Sequence, residues 1–117
     1  MTNNEKIYDF RYTMIEEIKM NVKSIFTKLY GEIEEDESYV LDFSDISNKK
    51  IAVYMEDIWQ NCYTKVTLDT IVVTEEDVYM TGHTECGDSV EEIYFYSIDT
   101  DMVAKIADAI CEKNDKL

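Results

Sequence analysis

The sequence has no proline, and only three glycines, three cysteines, one tryptophan and one histidine among 117 residues. The missing proline excludes a cis-Pro switch, a polyproline ligand and a Pro-stiffened linker. The glycines stand far apart at Gly31, Gly82 and Gly87, so there is no Gly-rich loop to cradle a phosphate. Three cysteines leave at least one thiol unpaired, and the spacing of Cys62, Cys86 and Cys111 follows no compact framework. The expectation is three reduced thiols in a cytoplasmic protein, mostly small core residues. No apolar run reaches the length of a signal peptide or a membrane span, so a soluble protein away from membranes is expected.

Basic residues are scarce too. Of 26 acidic and 11 basic side chains, residues 1–30 hold four and five, which leaves 22 against six for the other 87 residues. The formal net charge is −15. Such a field repels nucleic acid and anionic lipid and suits a basic protein partner or cations.

What the sequence does contain is periodicity, sufficient for one domain over residues 1–117. Thr2 and Glu5 have the spacing of a capping box. Ile7, Phe10, Met14, Ile18, Val22, Ile25 and Leu29 then recur at three- and four-residue steps, with Ile15 and Phe26 widening the stripe. This predicts a helix over 2–30, closed by Gly31 as a left-handed cap. Residues 32–37, Glu-Ile-Glu-Glu-Asp-Glu, read as a solvated acidic connector with no specific cation geometry. Tyr39, Leu41 and Phe43 alternate with Val40 and Asp42, Ile51, Val53 and Met55 alternate with Ala52, Tyr54 and Glu56, and the two segments predict a hairpin. Residues 56–61 interrupt the pattern and carry Trp59, a core lid or a contact anchor.

From Asn61 to Ile98 the chain reads as a meander of strands. Cys62, Thr64, Val66 and Leu68 share the helix-facing parity; Tyr63, Lys65, Thr67 and Asp69 share the other. Asp69-Thr70 is a bulge or a tight turn, leaving 62–74 as one bent strand or two. Thr74–Asp77 and Cys86–Ser89 are turns, the second helped by Gly87. Residues 91–98 read as a central strand, apolar on both faces. A last helix opens at Asp99 or Thr100, carries Val103, Ile106, Ala107 and Ile110 on one face, and frays after Lys113.

Every connection between strands is too short for a parallel crossover. The fold expected is therefore α+β: a two-layer sandwich with an antiparallel sheet of four to five strands and both terminal helices on one face, in the order α-β-β-β-β-α. The opposite face should present Tyr63, Tyr79, Tyr94 and Tyr96 with Lys65, Thr67, Thr81 and His83.

Chemical motifs are weak. His83-x-Glu85 opens a zinc-deaminase signature, but the Pro-Cys-x-x-Cys half is absent. A structural zinc site would need further paired ligands. Glu85 and Asp88 beside Cys86 oppose thiolate formation. Carboxylate pairs are too abundant to single any out. No cofactor, metal or catalytic residue is assigned, and an enzyme is not expected. The function expected is a small acidic interaction or inhibitor-type domain. It would bind a protein partner, basic by charge complementarity, through Tyr63, Tyr79, Tyr94, Tyr96 and Trp59 or through an acidic rim. The alternatives are a small-molecule binder or enzyme using a pocket between the first helix and the sheet, and a nucleic-acid mimic. A homodimer joined through the first helix or a strand edge is compatible with each.

Overall fold

The computed structural model describes residues 3–47, 50–57 and 62–117, with side chains at 10–47, 50–55 and 62–117. Helix α1 spans Asn3–Tyr30, and strands β1 (Ser38–Asp42), β2 (Ala52–Asp57), β3 (Cys62–Thr74), β4 (Val78–Thr84) and β5 (Ser89–Ile93) follow. Helix α2, Thr100–Lys116, closes the chain. The Thr2–Glu5 cap and Trp59 lie outside the described residues.

The α1 stripe is buried at Ile15, Ile18, Val22, Ile25 and Phe26. Phe10 and Leu29, expected on that stripe, are 68 % and 42 % exposed. The last turn meets the sheet through a neighbouring side chain instead: the Tyr30 ring stacks on Tyr39 of β1, centroids 5.6 Å apart. Gly31 caps it as expected, at φ +88° with its N–H donating to the Thr27 carbonyl at 2.9 Å. On α2, Val103, Ile106 and Ile110 are buried. Asp99 stands at its N-cap but its side chain makes no capping bond, and the helix runs three residues past the expected fray, to Lys116.

The sheet is antiparallel in the order β1-β3-β4-β5, with β2 also on β3. Here the expected β1–β2 hairpin is corrected. Ser38–Asp42 pairs with Thr70–Thr74, and Ala52–Asp57 pairs with Cys62–Thr67. β1 and β2 lie end to end along one edge of β3, separated by a short 3-10 turn at Phe43–Asp45. A 13-residue strand is long enough to hold both in tandem. β3, not 91–98, is therefore the central strand. β5 ends at Ile93 on the edge beyond β4.

One bulge aligns the whole layer. Thr67 faces His83 and Leu68 faces Gly82, but Thr70 faces Thr81, so Asp69 is the extra residue. Without it Leu68 and Ile71 would point to opposite faces; with it both join the core. Gly82 is required beside this bulge, since a Cβ there would lie 2.4 Å from the Thr67 carbonyl oxygen.

Both helices cover one face. Their buried residues form a single core cluster with Leu41, Val53, Val66, Leu68, Ile71, Val73, Val78, Met80, Ile93 and Phe95. Two contacts fix the helices as parallel neighbours, Asn21 donating to Cys111 Sγ and Lys28 to Asn114 Oδ1, and Arg11 of α1 donates to the Ile98 carbonyl just ahead of α2. The cysteines are corrected as well: Cys62, Cys86 and Cys111 are all exposed, and none forms a disulfide. They occupy the start of β3, the β4–β5 turn and the flank of α2, beyond the reach of the core.

Candidate functional site

The second face of the sheet carries the side chains of opposite parity, and the register sets them in rows. Val40, Val72 and Tyr79 align across β1, β3 and β4. The Tyr94 ring extends that row, its centroid 6.0 Å from that of Tyr79. Two residues along β3, Asp42, Thr70 and Thr81 align, and the two threonine hydroxyls share a hydrogen bond. Thr67 then faces His83, and Lys65 faces Tyr54. Tyr63, near the far end of β3, is 71 % exposed.

Of the residues expected on this face, Tyr63 is open and Tyr79 and Tyr94 are half-buried. Lys65 and His83 are exposed, and Thr67 and Thr81 half-buried. Tyr96 is not there. Glu92 takes a positive φ of 55°, the chain leaves the sheet after Ile93, and Phe95–Ser97 forms a 3-10 turn. Tyr96 folds back on α1, its hydroxyl donating to Glu16 Oε1 at 2.9 Å and its ring lying 5.2 Å from Lys19 Nζ. Tyr54 and Val40, 55 % and 56 % exposed, take a place on the open face instead. Their strand parity was legible in the sequence. What was missing was that β1 and β2 flank β3 on one edge.

At the sheet end next to the Val40–Val72 row, two acidic segments meet. Glu35, Asp36 and Glu37 of the connector and Glu75 and Glu76 of the β3–β4 turn line one cleft of ≈ 310 Å³. The turn is pinned by its own side chains: Asp77 N–H donates to Thr74 Oγ1 and Val78 N–H to Asp77 Oδ1. Lys19 of α1 pairs with Asp77 at 3.2 Å, and Lys23 donates to the Glu75 carbonyl. Neighbouring carboxylates also mark the tyrosines. The Tyr94 phenol is raised above 10.0, first by the Glu92 charge and then by burial. The Tyr39 phenol is raised chiefly by its hydrogen bond to Glu37.

A larger cleft, ≈ 470 Å³, opens where the edge passes from β1 to β2. Phe43, Ile51 and Leu68 line it with Asp42, Asp69, Lys50, His83 and four Ser and Thr hydroxyls. His83 Nδ1 lies within hydrogen-bond distance of both Asp69 carboxylate oxygens, 2.9 Å from each. The bulge makes this pair, because it turns Asp69 toward the strand that carries His83. Both side chains remain about half exposed, at 46 % and 44 %, so water competes at each. The space between α1 and the sheet, the alternative place for a pocket, holds the core, and His83 sits on the opposite face. Among the described residues no group of three or more His, Cys, Asp or Glu is arranged to hold a metal ion. No helix among them is long and apolar enough to cross a membrane. No protein-family model, curated protein or solved structure matches the chain.

Proposed function

We propose that this chain is a small, acidic, non-enzymatic interaction domain of the inhibitor type, which binds a basic or amphipathic protein through the open sheet face and its acidic rim. The observation that carries this reading is a five-stranded sheet with both described helices on one side and Val40, Tyr54 and Tyr63 more than half exposed on the other. Tyrosine offers a large contact at low entropy cost and keeps a polar tip. The apolar row Val40–Val72–Tyr79–Tyr94 abuts the carboxylates of 35–37 and 75–76, so apolar contact and charge attraction act on one partner surface. A chain at −15 would also draw a basic partner in from a distance, at low salt above all. Edge pairing between copies is opposed by β5, which is five residues long and carries Glu91 and Glu92.

The test is capture from a lysate of the source cell at low and high salt, with mass spectrometry of what elutes. The wild-type chain is compared with Tyr54→Ser/Tyr63→Ser and with Glu75→Lys/Glu76→Lys. The expected result is one basic protein, retained at low salt and lost from both variants. Retention by both variants at wild-type level would overturn the reading.

A further inference from the structure

The cleft between β1 and β2 lies on the same face, next to the Val40–Val72 row, and its chemistry is mixed in a particular way. Phe43 and Leu68, exposed by only 4 % and 5 %, line it from the core side. Asp42, which faces Thr70 across the β1–β3 ladder, and Asp69 supply two carboxylates, and Ser44, Thr67 and Thr70 line the cleft with them. A ligand that fits has an apolar stem to lie on the half-buried Ile51, with Phe43 and Leu68 beneath it, and a cationic, planar, multiply donating head for the carboxylates and hydroxyls. Arginine has that form: three methylenes, then a guanidinium with five N–H donors in a fixed fork. Lysine's compact ammonium would serve fewer of these acceptors at once. The size of the cleft falls within the range of small-ligand sites.

We infer that this cleft is the anchor pocket for an arginine side chain of the basic partner. This rests on the interaction reading above and names the residue that the partner inserts. Asp69 is already oriented to receive it. Its carboxylate is held toward His83 on a bulge locked by the tight Gly82–Thr67 approach, so little ordering remains to be done on binding. Lys50 is the cation that a guanidinium meets in the cleft. It opposes entry, and its removal strengthens binding. The field of the whole chain outweighs it at long range.

The measurement is a backbone amide NMR titration of the full chain with acetyl-arginine amide and, separately, acetyl-citrulline amide, which has the same shape without the charge. The arginine compound is expected to shift Thr67, Asp69, Thr70 and His83, saturating on the order of 1 mM. The citrulline compound should bind about tenfold more weakly, as a charged hydrogen bond is worth against a neutral one. Asp69→Asn and Asp42→Asn, near-isosteric changes, should each weaken the arginine compound several-fold, and Lys50→Gln should tighten it. Equal binding of the two compounds, shifts centred on Glu35–Glu37 and Glu75–Glu76, or unchanged affinity in both Asp variants would overturn the inference. If the Asp42→Asn/Asp69→Asn chain still captures the partner while Tyr54→Ser/Tyr63→Ser does not, the open-face reading stands and the anchor pocket alone falls.

Discussion

At the scale of single residues, Asp69 and Tyr96 show how neighbours reassign a side chain. Asp69 interrupts a strict alternation, and by doing so keeps the residues before and after it on the correct faces and reaches His83. Tyr96 would belong to an open face if its strand continued, but it becomes a bracket between the chain after β5 and α1. Arg11 of α1 donates to the carbonyls of Tyr96 and Ile98 from the same side. Burial, the bond to Glu16 and the Glu16 charge push the Tyr96 phenol up to about 12 from 10.0. A folded-state pKa above the unfolded value means that the contribution is whole below pH 10 and disappears as pH rises through about 12. Subtracting the alkaline phenolate absorbance titration of Tyr96→Phe from that of the wild type should therefore leave one transition centred near 12. A difference curve centred at the ordinary tyrosine value would show that the Glu16 bracket does not form.

At the scale of elements, α1 separates what periodicity reveals from what packing selects. The apolar stripe is continuous in sequence, yet its two margins fare differently: Phe26 is fully buried and Phe10 is not. Phe26→Ala should cost about 3–5 kcal/mol, the transfer of the ring plus the cavity it leaves. Phe10→Ala should stay within about 0.5 kcal/mol, since water already surrounds most of that side chain. Urea denaturation of the two variants checks this, and equal losses would mean that the helix seats on the sheet through a different face. The strand elements give a parallel lesson. Two alternating segments joined by a short polar loop satisfy every local criterion for a hairpin. They are kept apart because β3 is long enough to offer each its own partner.

At the scale of the molecule, charge is the dominant property. The near-neutral first helix lies across the acidic end of the sheet, and Lys19 and Lys23 reach the β3–β4 turn from it. The remaining acids, without such partners in number, repel one another, which opposes the compact state. Added sodium chloride screens that repulsion within a Debye length of about 8–10 Å at moderate ionic strength. The urea midpoint should therefore climb between about 0.02 M and about 0.5 M salt, where screening becomes short-ranged. A midpoint that falls would mean that the α1–turn contacts outweigh the general repulsion. Salt thus acts with opposite sign on the fold and on capture of a basic partner.

The α+β class, the two helices with the Gly31 cap, the turns at Thr74 and Gly87 and the inward parity of β3 were all determined by the sequence itself. They depend on contacts within a few residues and on a period that burial on one face imposes. The pairing of β1 and β2 with β3, the edge position of β5, the return of Tyr96 to α1, the exposure of the cysteines and the union of Asp69 with His83 in a cleft were decided only by the tertiary structure. Each turns on register between segments remote in sequence, and a period of two leaves register undetermined until strands choose their partners.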